Sequence, residues 1–162
     1  MDIHTFTLFS NDLGGVGTLR EAAPACGGEN ISPQLSWINA PKGTKSFAIT
    51  IYDQSAPTGG GFWHWLAFDI PVKTQTIPSG AGNPMRNLLP SGVIQSKNDY
   101  GQYGYGGPCP PEGDGFHLYL ITVYALDVDS LGLDKDALAN PVGFHLWMHT
   151  IEKASMVMYY KR

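Results

Sequence analysis

Twenty glycines and twelve prolines interrupt this 162-residue chain, and that punctuation constrains its fold more than any other feature. A glycine costs a helix interior about 1 kcal/mol and a proline about 3 kcal/mol relative to alanine. A chain broken up in this way folds as short strands joined by turns rather than as long helices. Enrichment in β-branched and aromatic residues between turn signals predicts strands over Thr5 to Phe9, Leu35 to Ile38, Ser46 to Tyr52, Trp63 to Ile70 and His117 to Leu126. In Ser46 to Tyr52 both alternating sets, Phe47/Ile49/Ile51 and Ala48/Thr50/Tyr52, are largely apolar, so this strand is expected to be central and covered on both faces. His117 to Leu126 behaves alike, with Tyr119, Ile121 and Val123 on one side and Leu118, Leu120 and Tyr124 on the other. Two packed sheets would bury both strands. Near the C-terminus Val142, Leu146 and His149 fall at helical spacing behind Pro141, a first-turn residue. A shorter helical turn is expected around Asp134 to Leu138, and Ser155 to Tyr160 alternates as a closing strand.

The length suits one domain spanning 1–162, and 43% apolar with 15% charged residues belongs to a packed globule. A net charge of -4 with ten scattered Lys and Arg offers no basic stripe for nucleic acid. No apolar run approaches the roughly 20 residues that span a bilayer. Met1-Asp2-Ile3-His4 lacks the basic-then-apolar order of a signal peptide, so the expected location is the cytoplasm. Cys26 and Cys109 form no CxxC pair and no zinc spacing. They are either two reduced thiols or, had a leader been removed, one disulfide in an oxidising compartment such as the periplasm.

The chain has no G-x-S-x-G elbow, P-loop or H-E-x-x-H, which takes weight from hydrolase, nucleotide and metalloprotease readings. Polar residues do stand where a plain core would not put them. Asp53 ends an apolar strand before a turn closed by Pro57. His64 sits inside Phe62-Trp63-His64-Trp65-Leu66, where its ring nitrogens need partners. His117 and Tyr119 share one face of their strand. Each alone reads as structural, but together, on strands bordering Gly/Pro loops, they form the set a pocket requires. His4, His145 and His149 have surface or helix-packing settings. The stretch from Ile77 to Phe116 is too long for a passive connector and is expected to carry function.

Ordered segments then bring a known family into view: Gly28-Glu29-Asn30-Ile31-Ser32-Pro33-Gln34-Leu35-Ser36-Trp37, Gly43-Thr44-Lys45-Ser46-Phe47-Ala48, Asp53 with Ala56-Pro57-Thr58-Gly59, Phe62-Trp63-His64-Trp65, Asn98-Asp99-Tyr100-Gly101, Gly104-Tyr105-Gly106-Gly107-Pro108-Cys109-Pro110-Pro111, and His117 with Tyr119. Across nearly its whole length the chain resembles the phosphatidylethanolamine-binding proteins, in particular their bacterial and archaeal Raf kinase inhibitor-like branch. The resemblance implies a two-sheet antiparallel β-sandwich with a Greek-key-like core and a C-terminal helix. It also implies a pocket for small anions or phosphorylated head groups, built from Asp53, Pro57, His64, Pro111, His117 and Tyr119. Homodimers and inhibition of a kinase or protease are further implications, and no cofactor is expected. Two positions depart from the family: D-P-D-A-P is Asp53-Gln54-Ser55-Ala56-Pro57 here, and H-R-Y is His117-Leu118-Tyr119. The lost acid and arginine are expected to pair in relatives, since losing one alone would strand the other.

In such a pocket both imidazoles, the Tyr119 hydroxyl and backbone N–H groups of the glycine-rich loop, Gly107 among them, are the expected donors. Asp53 would repel an anion, so its expected role is to orient one histidine and hold it cationic. Anion binding should then weaken as pH rises through the histidine pKa values. The alternative is an enzyme in which Asp53, His64 and His117 form a facial metal triad.

Overall fold

The computed structural model describes residues 2–162. Eight strands and one helix follow in the order β1 (Thr7–Phe9), β2 (Leu35–Ile38), β3 (Ser46–Asp53), β4 (Phe62–Pro71), β5 (Thr76–Ile77), β6 (Ile94–Gln95), β7 (His117–Leu126), α1 (Ala139–His149) and β8 (Thr150–Tyr160). They form a three-stranded sheet, β1-β2-β5, and a five-stranded sheet, β6-β4-β3-β7-β8, with every pairing antiparallel. The mainly β two-sheet fold with a short C-terminal helix is the one expected. The N-terminal strand is shorter than the sequence suggests, and β8 begins directly where α1 ends. Asp134 to Leu138 forms a turn closed by the Ala137 N–H on the Asp134 carbonyl rather than a helical turn. Among the described residues no helix is long and apolar enough to cross a membrane.

Strand β3 is central, as its two apolar faces require, but the covers of those faces differ. On one side Phe47, Ile49 and Ile51 join Trp65, Ile121 and Val123 against Leu8, Leu35, Trp37 and Ile77 of the small sheet. On the other side Ala48, Leu66 and Phe68 pack under Leu131, Val142 and Leu146. The second cover is therefore α1 and the segment leading into it, not a second sheet. Each fully buried Leu, Ile or Phe contributes about 1.5–3 kcal/mol, so both interfaces hold the large sheet rigid.

Two details of register place the site. Asp53 is the last residue of β3 and lies opposite Tyr119 of β7; period-two alternation puts it on the same face as Ile51 and Ile49, toward the small sheet. Along β4, Tyr52 pairs with Trp63 and Ile51 with Trp65, so His64 is left without a partner across the ladder. That is a β-bulge, a device that re-aims a side chain at a sheet edge or site. It lets Trp65 enter the inter-sheet core while Trp63 packs on the helix side.

Candidate functional site

At the end of the inter-sheet core, where β3, β4 and β7 meet, lies a hollow of about 220 Å³ lined by Asp53, Pro57, Phe62, His64, Tyr100, Cys109, Pro110, Pro111, His117 and Tyr119, with Ala56 and Thr58 at its side. A larger groove of about 740 Å³ runs along residues 84–95, but its titratable side chains, Tyr103, Asp134 and Lys135, are all exposed. The smaller hollow holds the buried chemistry: Asp53 and His117 are each 2% exposed and His64 is 3% exposed.

His117, at the start of β7, is gripped from both ends. Its Nδ1 is 2.7 Å from Asp53 Oδ2 and its Nε2 is 2.7 Å from Asp114 Oδ2. Carboxylate oxygens only accept, so this geometry favours hydrogen on both ring nitrogens, the imidazolium form. Burial opposes that charge, but the hydrogen bonds and charges of Asp53 and Asp114 prevail and raise the pKa above the ordinary value. Asp53 is itself held, its Oδ1 accepting the Ser55 N–H at 2.8 Å.

His64 faces the same hollow in the opposite state. Its Nδ1 donates to the Gly106 carbonyl at 2.7 Å, while its own carbonyl accepts the Gly106 N–H at 2.8 Å. Burial dominates and lowers its pKa despite that carbonyl and the field of Asp53. At neutral pH His64 is therefore an uncharged imidazole with the proton on Nδ1 and a lone pair on Nε2. It offers an acceptor, which corrects the expectation that both rings donate.

Tyr119 stands between the two rings, 5.1 Å from His64 and 6.4 Å from His117 by centroid. Burial and then the Asp53 charge raise its phenol pKa, so the hydroxyl stays a donor. Burial likewise pushes Tyr100 up to about 12, and its hydroxyl is spent on the Gly107 carbonyl at 2.8 Å.

The glycines of the loop do not supply the donors expected of them. The Gly107 N–H is bound to Asn30 Oδ1 at 2.7 Å, the Gly106 N–H to His64 and the Tyr105 N–H to the Gly82 carbonyl. Gly107 lies outside the lining, packed so closely on the Glu21–Ala22 backbone that no side chain fits. Its absence of Cβ serves that approach. Pro108, Pro110 and Pro111 have no N–H at all. Loop residues 109–111 wall the hollow, and the Cys26–Cys109 disulfide, with Cα atoms 5.6 Å apart, ties that wall to the chain near Pro24.

Register also places the two positions that depart from the family. Strand β7 turns Leu118 to the face opposite His117 and Tyr119, so an arginine at position 118 would not enter the hollow from this strand. Ser55 lies in the turn beyond β3, where its N–H caps Asp53. The metal-triad alternative needs three convergent ligands, but Asp53 and His117 are engaged with each other, and among the described residues no group of three His, Cys, Asp or Glu is arranged to hold an ion. Asp114 escaped the sequence reading. Its only sequence signal is the Gly113-Asp114-Gly115 turn three residues before His117.

Comparison with known proteins agrees with this architecture. The chain is 43% identical over 129 residues to the UPF0098 protein YbhB of Escherichia coli K12, covering 80% of each chain. It is 42% identical over 136 residues to the UPF0098 protein YbcL of the same organism, covering 84% of this chain and 74% of YbcL. The crystal structure of E. coli YbcL, described as a new member of the mammalian PEBP family, superposes with a TM-score of 0.93 at 38% identity over 97% of this chain and 98% of that one. The family described as phosphatidylethanolamine-binding protein matches residues 10–161. The sheets, the helix and the sequence likeness lead to one conclusion: this chain belongs to the phosphatidylethanolamine-binding protein family.

Proposed function

We propose that the hollow binds a small phosphate-type anion, free or as a phosphorylated head group, and that the protein is a regulatory binder rather than an enzyme. The observation that supports this most is the buried Asp53–His117 pair, which keeps a cation in the wall of a cavity of anion size. The Tyr119 hydroxyl beside it adds a neutral donor, and the Nε2 lone pair of His64 accepts a proton-bearing oxygen, which favours a hydrogen phosphate or monoester. No Ser or Cys nucleophile accompanies the histidines, since Cys109 is in a disulfide.

Calorimetric titration with inorganic phosphate, phosphorylethanolamine and phosphatidylethanolamine vesicles tests the reading and separates a free anion from a lipid source. Affinity should persist above the ordinary imidazole value of 6.5 and fall as pH rises through the higher value of His117. A flat profile between about pH 5 and pH 9, or undiminished binding by His117→Gln, would contradict it.

Three wider proposals stand beside it. A second copy of the chain is the partner proposed for α1, whose Phe144 and Trp147 rings stack at 5.8 Å while Trp147 is 77% exposed; light scattering reads the mass. A kinase or protease target rests on the family likeness alone. The disulfide favours an oxidising compartment such as the periplasm over the cytoplasm, and thiol titration of protein from its native host decides between them.

A further inference from the structure

The two carboxylates on His117 are not equivalent. Asp53 is buried, ends the middle strand of the large sheet and is anchored a second time by the Ser55 N–H. Asp114 belongs to a loop, and its side chain is 47% exposed. Its neighbours Gly113 and Gly115 have φ of 77° and 84°, the left-handed region where glycine moves freely, with open space around both. The loop itself is pinned ahead of Asp114 at Pro110 and Gly113, and behind it by the pairing of His117 with Tyr160. The Gly113 N–H donates to the Arg162 carbonyl at 3.3 Å, and Arg162 Nε donates to the Pro110 carbonyl at 2.8 Å. The Asp114 carboxylate can therefore leave His117 by turning its own side chain while the cavity wall stays in place.

A ring N–H points one way and serves one good acceptor. His117 Nδ1–H is committed to the fixed Asp53. Any guest that takes a hydrogen bond from His117 must take it from Nε2, at the place now held by Asp114 Oδ2. We propose that Asp114 is an internal ligand: its carboxylate, outside the residues that line the hollow, occupies the oxyanion position on His117 Nε2 and sets which anions can bond there. The proposal rests on the anion-binding reading above and names the group that competes with the anion.

The competition selects by chemistry. A tethered carboxylate acts at an effective concentration on the order of millimolar or more, so a free monocarboxylate, offering His117 the same bond, is at a disadvantage. A phosphate-type dianion carries more charge, and its several oxygens can take the His117 Nε2–H and the Tyr119 O–H together, whereas Asp114 bonds only the former. Asp114 thus filters against acetate-like anions and in favour of phosphate-like ones. Displacing it also removes one of two negative charges beside the imidazolium, so the emptied position gains attraction for an incoming anion.

Calorimetry at pH 7 with inorganic phosphate and with acetate, on the wild type, Asp114→Asn and Asp114→Ala, tests this. Asp114→Ala should bind phosphate about tenfold more tightly, the gain expected when a closed form populated about nine times in ten is removed. Acetate binding should become measurable in the same variant. Asp114→Asn, whose amide oxygen accepts without charge, should fall between. In the guest-free proteins, NMR titration of His117 should show its pKa dropping in Asp114→Ala, a readout independent of any ligand. Equal phosphate affinities in all three proteins, with His117→Gln abolishing binding, would overturn the internal-ligand role and leave the anion pocket standing. No phosphate binding in any of the three would overturn both.

Discussion

Two imidazoles line one hollow from opposite walls, His64 on β4 and His117 on β7, with nearly the same exposure, 3% and 2%. Their pKa values nevertheless move in opposite directions, down for His64 and up for His117. The difference lies in what each ring meets. His64 finds a neutral carbonyl, which cannot offset the desolvation of a charge, while His117 finds two carboxylates, which can. Burial alone does not set the charge state of a buried histidine; its hydrogen-bond partners decide. One cavity thereby presents a base and a cation, both packed near the Tyr119 ring.

The comparison breaks most sharply at Asp53. Asp53→Ala removes the fixed partner of a buried imidazolium and should cost about 3 kcal/mol of stability, read by urea unfolding at pH 7. It should also lower the His117 pKa by NMR.

On the other wall, Gly106→Ala drives a methyl group into the Tyr100 ring and the Asn98 side chain. It should cost about 2 kcal/mol, in the range of overpacked cores, and release the Nδ1 proton of His64, visible as mixed tautomers in nitrogen-edited NMR spectra. An unchanged tautomer would show that Gly106 does not fix the position of the His64 proton.

The pH dependence of stability sharpens the contrast. His117 titrates above 6.5 in the folded chain, so its contribution is complete below that value and disappears as pH rises through the folded pKa. His64 titrates below 6.5, so its contribution is complete above that value and disappears as pH falls. His117→Gln should therefore lose more stability near pH 6 than near pH 9, and His64→Gln more near pH 8 than near pH 5, by denaturant midpoints. Parallel profiles for the two variants would erase the distinction.

The smallest effect is expected at position 118. Leu118→Arg restores the family's arginine on the far face of β7 and should change phosphate affinity by less than about twofold, because strand alternation points it away from the hollow.

Much of this could be read from the residues in order. Period-two patterning located β3, β4 and β7 and placed His117 beside Tyr119. Asp53 and His64 stood out because a polar side chain within an apolar strand demands a partner. Strands β5 and β6, two residues each, left no periodic signal to read. The bulge at His64 was invisible because it depends on which residues of β3 lie opposite.

The amino-acid sequence by itself determined the strand-and-turn architecture, the apolar faces of the central strands and the residue types at the site, because these follow from local periodicity and backbone preference. Only the tertiary structure decided that Cys26 meets Cys109, that the N–H groups of Gly106 and Gly107 are consumed internally, that Asp114 caps His117, and that the pKa values of the two histidines move apart. Those outcomes depend on partners as much as 83 residues away in the chain. Hydrogen-bond acceptance and local dielectric at a site are properties of what surrounds a group in space, not of its neighbours along the chain.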